Sequence, residues 1–337
     1  MRISITLVCF FSIQLRSFAQ DQDRVFTFKL IEERRFTFNQ YESIKVIPVS
    51  DTSYFIVGYH EVVLFDRNNG RVNSLLNFGK EGYISSFTTD ESHFYVVNND
   101  ERTLRKHKMD NEEVYSLKPF ERLDNAIFMH GDNYIISHYQ KEEDEWKYKF
   151  TIYNVESKRI LNSYSFVDLL EKRFNKSYGE ECAEFIFQGW FTSNTDTTFY
   201  VSDRTSLIFA FDNQGNLIYI KEEINGISLP IDKERKFLGN RTCHLTPDRR
   251  RIRSSSSDDE YLYLLSNILD NSDEYAVIDI YGVDGGYYAG SARVPYLNGD
   301  FSPYPNNIST AEGSIIVIYD DKSIVEYKLE KFNKSDL

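Results

Sequence analysis

Six copies of one unit run through this chain, and the last copy is cut short. Each copy begins at a polar turn and enters a strand rich in aromatic and β-branched residues. A second strand follows, often ending in an aromatic and an acid, and an Asn or Gly turn leads into a third. The copies start at Asp51 (DTSYFIVGYHEVVLFDRNNGRVNSLLNFG), Asp90, His130, Thr195 (TDTTFYVSDRTSLIFAFDNQGNLIYIKEEI), Ser257 and Ala311. Aligned on Tyr54, Phe94, Tyr134, Phe199, Tyr261 and Ile315, they are spaced 40, 40, 65, 62 and 54 residues apart. A period of about 40–50 residues built from short strands is that of a propeller blade, and the longer intervals carry insertions. The runs YFIVGY, FYVVN, TFYVSD and YLYLLSN fit strands. No segment keeps a long 3.6-residue period, and Val167–Phe174, inside an insertion, is the best helix candidate.

The sixth copy stops at the C-terminus after three strands, while Arg24–Leu30 reads as a strand with no copy of its own. A closed ring accounts for both, because the N-terminal strand can complete the last blade and leave no free edge between sheets. The expected fold is therefore all-β, a six-bladed β-propeller with an N-terminal strand closing the last blade. A β-sandwich or barrel is the rival, and it does not predict six similar copies with a split final one.

Residues 1–19 carry a different signal. Arg2 opens a short positive region, Ile3–Leu15 is mostly apolar and too short to span a bilayer, and Ser17-Phe18-Ala19 offers small residues for cleavage after Ala19. We expect a signal peptide over 1–19, a propeller over 20–337 with insertions at about 167–190 and 225–256, and a periplasmic or secreted product. Val8 before Cys9 is too bulky for a lipid-anchor signal. No later run reaches the ~18 apolar residues of a membrane helix, so no transmembrane segment is expected. The formal charge is −13, and losing Arg2 and Arg16 makes the product more acidic. That disfavours nucleic acid as a partner. Cys182 and Cys243 lie in the two insertions, and an oxidising compartment permits a disulfide between them.

The fourth copy, YVSDRTSLIFAFDNQGNLI, resembles the repeat of NHL-type propellers: strand, Asp, turn, strand, Phe-Asp, Gly turn, strand. Asn77-Phe78-Gly79-Lys80-Glu81-Gly82 with Phe87 resembles the segment linking their blades. At the level of architecture the chain is similar to exported six-bladed propellers (NHL-like or TolB-like) of Gram-negative bacteria. The resemblance implies fold and compartment, and it carries no catalytic residue across. Most copies lack the Asn-Arg pair of the NHL repeat.

No GxSxG, HExxH, CxxC, P-loop or GxGxxG occurs, so no catalytic residue, metal site or cofactor is assigned. Asp66-Arg67-Asn68-Asn69-Gly70 and Asp212-Asn213-Gln214-Gly215 read as hairpin turns. Asn98, Asp203 and Asp320 occupy comparable strand ends, where either turn chemistry or an axial metal site like that of propeller lactonases accounts for them, and turn chemistry is the favoured reading. The six histidines show no ligand spacing. Two features stand out as ligand-binding candidates. The first is a basic stretch in an acidic chain, Asp232–Arg253, whose Arg241, Arg249, Arg250, Arg251 and Arg253 suit carboxylates, sulfates or phosphates, with the serines Ser254–Ser257 as added donors. The second is Trp190, expected in a loop near the ring, where it stacks on a sugar or packs in the core. Three function classes follow. One is a monomeric non-catalytic binding module for an anionic glycan or an envelope protein. The others are a lactonase, hydrolase or lyase with a site in the central funnel, and an envelope assembly scaffold.

Overall fold

The computed structural model describes residues 24–38, 43–79, 82–90, 92–119, 123–130, 132–142, 145–174, 188–203, 205, 207–224, 233–237, 240–244, 252–266, 275–297, 303–311 and 313–332. For residues 43, 145, 146, 172–174, 233–237 and 240–244 the description is of the backbone alone. The strands form six four-stranded antiparallel sheets. Five are continuous in sequence, over 43–77, 84–117, 123–165, 189–222 and 252–295, each running in chain order across the sheet. The sixth combines three strands of 305–331 with Phe28–Thr37. A two-stranded hairpin, Lys233–Phe237 with Asn240–His244, comes between the fourth and fifth blades in sequence.

The packing proves the ring. The buried apolar side chains divide into six clusters, and each cluster lies between one pair of successive blades, including the sixth and the first. A stack of two sheets would bury a single interface. The second strand of the first blade shows how this is encoded. Tyr54 and Ile56 pack toward the sixth blade, and Phe55 and Val57 toward the second. Both faces are covered, so SYFIVG is a continuous apolar run and not an alternating one. The helix Phe166–Phe174 adds Phe166, Val167 and Leu170 to the seam between the third and fourth blades. Its first turn is capped by Ser165, whose Oγ accepts from the Asp168 amide at 3.3 Å.

Closure follows the expected route with a different boundary. Phe28–Thr37 pairs antiparallel with Ser323–Lys331, from Phe28 opposite Lys331 to Thr37 opposite Ser323. The strand runs past Leu30 through IEERRFT, a polar stretch because this is the outermost strand of its sheet and largely exposed. Residues 24–27 lie against the neighbouring fifth blade. Arg24 donates from Nε and Nη2 to both carboxylate oxygens of Asp279, at 3.0 and 2.9 Å, and from Nη2 to Ser266 Oγ. Ser291 Oγ donates to Asp279 Oδ1 at 2.6 Å. The pair is sealed, with side chains 1% and 2% accessible. Thr27 Oγ1 donates to the Ala289 carbonyl, and a Cβ on Gly290 (φ +145°) would lie 1.7 Å from that hydroxyl oxygen. Only glycine permits this approach.

Every outermost strand carries a one-residue bulge. The residues left out of the pairing are Leu75, Val114, Leu161, Ile218, Ala289 and Glu33. These strands are the exposed edges of their sheets, and a bulge there hinders pairing with another chain.

Candidate functional site

The innermost strands are Ser43–Pro48, Ile84–Thr89, Leu123–Phe128, Gly189–Ser193, Ile252–Ser257 and Pro305–Ala311. Their sequences (SIKVIP, ISSFTT, LDNAIF, GWFTS, IRSSSS, PNNISTA) are far more polar than those of the strands behind them. Their polar side chains and the adjoining turns join blade to blade. Val46 N donates to Ser309 Oγ, Lys45 Nζ to the Phe87 carbonyl, Asn99 Nδ2 to that of Asp124, and Asn125 Nδ2 to that of Gly189. Asn194 Nδ2 reaches the Asp258 carbonyl and Thr310 Oγ1 the Ser257 carbonyl. All six junctions thus carry a bond close to the axis.

At one end of the ring the innermost strands turn back into the second strands. Two of these turns share a device. Asp90 Oδ1 accepts from the amides of Ser92 and His93 while Tyr95 gives its hydroxyl to Oδ2 at 2.5 Å. Asp258 repeats this with Glu260, Tyr261 and Tyr263. Burial and the Asp90 bond both push the Tyr95 phenol well up, so it stays a donor. The turns frame a cavity of about 820 Å³, lined from all six innermost strands. That volume lies in the range of small-molecule sites.

The lining is uneven. Blades four to six contribute neutral groups, among them Thr192, Asn194, Ser256, Ser309 and Thr310. Blades one to three contribute the ionisable and aromatic groups, Lys45, Asp90, His93, Lys106, His130 and Asp132, with Tyr95 and Phe128. The Tyr95 and Phe128 rings stack at 3.6 Å between centroids, and Lys106 sits over Tyr95 while pairing with Asp132 at 3.1 Å. Lys45 differs. Its half-buried side chain bonds the Phe87 carbonyl at 2.9 Å, and no carboxylate among the described residues pairs with it. Burial pushes its ammonium down to about 8. Hydroxyls retain accepting and donating capacity for a polyol, and an unpaired ammonium attracts an anion.

Ser92 Oγ lies 2.7 Å from His93 Nδ1 on the cavity rim, which invites a nucleophile–base reading. The same hydroxyl reaches Asp90 Oδ1 at 3.0 Å. A hydroxyl has one proton. Given to Asp90, it leaves Nδ1 as the donor and no imidazole lone pair facing the serine, which locks the turn and does not activate a nucleophile.

The sequence candidates lie elsewhere. Ser254–Ser257, expected in the insertion, form most of the innermost strand of the fifth blade, where Ser256 and Ser257 line the cavity. Arg253 is at a bulge of that strand, with its guanidinium 4.5 Å from the Tyr304 ring centre. Trp190 is in a strand opposite Val201, packed against the seam of blades four and five and not lining the cavity. Arg241 and Cys243 belong to the hairpin by backbone, and their side chains lie outside the description. Arg249, Arg250, Arg251, Cys182 and residues 1–19 lie outside the described residues. The Asp66 and Asp212 turns are hairpins whose carboxylates accept turn amides. Asn98 accepts from the Glu101 amide and Asp320 from that of Tyr304, while Asp203 is fully buried. Among the described residues no three His, Cys, Asp or Glu side chains converge as a metal site, and no helix is long and apolar enough to cross a membrane. Lys45 was missed by the sequence reading. Its one signal is a lysine between apolar neighbours in SIKVIP.

The fold and the cavity define the molecule as a six-bladed propeller with a polar axial site. No protein family and no curated protein matches the sequence. Solved structures do match in shape. A chain of the mitotic checkpoint complex superposes with a TM-score of 0.52 at 7% identity, covering 90% of this chain and 93% of that one. A streptogramin B lyase gives 0.53 at 9% identity, covering 90% and 98%. BamB from Moraxella catarrhalis gives 0.42 at 8% identity, covering 89% and 99%. Likeness at such identities is a likeness of fold.

Proposed function

We propose that this chain is an exported, monomeric binding propeller of the NHL-like kind that takes an anionic glycan into its axial cavity. One observation carries the reading: Lys45 presents an ammonium with no carboxylate partner among the described residues, in a concave site otherwise rich in hydroxyl and amide groups. A cation in such a setting selects for negative charge, and the hydroxyl-bearing wall suits a sugar. A small concave site suits a glycan end better than the broad face of an envelope protein. The lactonase, hydrolase and lyase readings lack a nucleophile–base pair among the described cavity residues, and the Ser92–His93 contact is the nearest approach to one.

The test is a panel of uronate-containing, sulfated and neutral oligosaccharides, measured by calorimetry against the chain starting at Gln20. Acidic sugars should bind and neutral ones should not. Lys45→Met should weaken binding by about tenfold or more, the size of one ordinary charge-assisted contact. Equal binding of neutral and acidic sugars would remove the reading. Intact-mass analysis of the exported product, expected to begin at Gln20, tests the export step, and light scattering tests the monomer.

A further inference from the structure

We propose that Lys45 is a carbonyl-capturing amine, which condenses through Nζ with a short hydroxylated aldehyde held in the axial cavity. The inference stands apart from glycan binding and needs no anion.

The two lysines of the cavity make the case by contrast. Lys106 is held by Asp132 at 3.1 Å and lies over the Tyr95 ring, 5.5 Å from its centre. Both contacts engage its Nζ, with a carboxylate on one side and a ring face on the other. Lys45 has neither. Its bond to the Phe87 carbonyl fixes where Nζ sits, and that bond survives loss of a proton because a neutral amine still donates. The other titratable groups of the cavity, Asp90, His93, His130 and Asp132, make no ion pair with it. Burial, with no carboxylate among the described residues to oppose it, lets the free base form more readily than on a surface lysine. The cavity walls supply hydroxyls, including Thr88 and Thr310, to a hydroxylated ligand.

The chemistry balances without an added reagent. The Nζ lone pair attacks the aldehyde carbon, and the C=O π pair moves to oxygen. The resulting carbinolamine loses that oxygen as water, which carries away both amine protons. Amine and aldehyde give imine and water, with no change of oxidation state.

Glycolaldehyde with cyanoborohydride traps the imine as a secondary amine, and peptide mass spectrometry locates it. At pH 7.5 the adduct on Lys45 should form about tenfold or more faster than on Lys106, as a depressed amine predicts. In denaturing urea the two rates should converge. Lys45→Arg, which keeps the charge, should abolish the fast adduct while the far-ultraviolet dichroism stays that of the wild type. Equal rates at Lys45 and Lys106 in the folded chain would overturn the proposal. If labelling is equal yet Lys45→Met still loses acidic sugars, the covalent step alone falls and the binding site stands.

Discussion

The second strand of each blade and the innermost strand beside it are about 5 Å apart, yet they are built from different chemistry. The second strands read SYFIVG, HFYVVN, TTFYVS, YLYLLS and SIIVIY, with a longer NYIISHYQKE in the third blade. The innermost ones read ISSFTT, IRSSSS or PNNISTA. The difference is one of radius. A second strand is enclosed on both faces by neighbouring blades, so both faces are apolar. An innermost strand converges with five others on an axis too narrow for a close-packed core, and its side chains bond across the junctions or face the cavity. Polarity in this ring is set by distance from the axis, and binding chemistry collects where the apolar wall ends.

The buried polar groups that lie off the axis include the Arg24–Asp279 pair and His138, and the larger should break the rule hardest. Asp279→Ala leaves the Arg24 guanidinium and the Ser291 hydroxyl without their shared acceptor beneath the closure. Removing one partner of a sealed ion pair costs about 3–5 kcal/mol. Urea unfolding should show that loss, and Gly290→Ala should fall in the same direction by displacing Thr27. A change below about 1 kcal/mol would mean that residues 24–27 do not hold the ring shut. Next in size is an apolar truncation in a second strand. Ile56→Ala, at a fully buried site between the first and sixth blades, should cost about 2–5 kcal/mol. The folded fraction should bind ligand as the wild type does.

His138 is another such exception. It is polar and 1% exposed in a second strand, with Nε2 2.7 Å from Thr151 Oγ1. Burial, helped by Lys149, pushes its imidazole down to about 4. The unfolded chain takes up this proton near 6.5 and the folded chain does not, so the ring is stabilised above 6.5 and loses that stability as pH falls from 6.5 to about 4. The loss should approach roughly 3 kcal/mol at the acid end. Unfolding midpoints across that window should slope less in His138→Gln than in the wild type. An equal slope would leave the imidazole out of the acid response. Smaller still is Ser309→Ala, which removes an acceptor from Val46 N in an innermost strand. It should cost about 1 kcal/mol. A cost equal to that of Ile56→Ala would erase the distinction between the two layers.

The same difference in radius explains what could be read from sequence. The repeats were legible because the second strands are apolar, aromatic-rich runs bounded by polar turns. Each copy begins at the turn after an innermost strand, which is why the copies start at Asp90 or Ser257 and the innermost strand falls into the tail of the copy before. IRSSSS carries no apolar pattern, so it reads as loop, although hydrogen bonding makes it a strand. The closure was legible from the missing strand, but its polar half beyond Leu30 and the Arg24–Asp279 pair, 255 residues apart in sequence, were not. The cavity was the least legible feature. Its lining is gathered from strand ends and turns of all six blades, far apart in sequence, and a single lysine in SIKVIP carries no spacing to recognise.

Lys45 is where the comparison is sharpest, because it should matter least to stability and most to binding. Its ammonium is depressed to about 8 by burial, while the unfolded chain holds that proton to about 10.5. Between these values the unfolded chain binds more protons, so stability rises with pH across the window, and the cost of the buried charge is fully present below 8. Lys45→Met removes that cost, so its urea midpoint at pH 7 should equal or exceed the wild-type one and should not rise between pH 8 and 10. An anion in the cavity favours the charged form, so binding near pH 8 should take up protons and affinity should fall as pH rises through 8. Calorimetry in buffers of different ionisation enthalpy measures that uptake. An affinity flat from pH 6 to 10, or a Lys45→Met midpoint well below the wild-type one, would make this lysine part of the wall and not of the site.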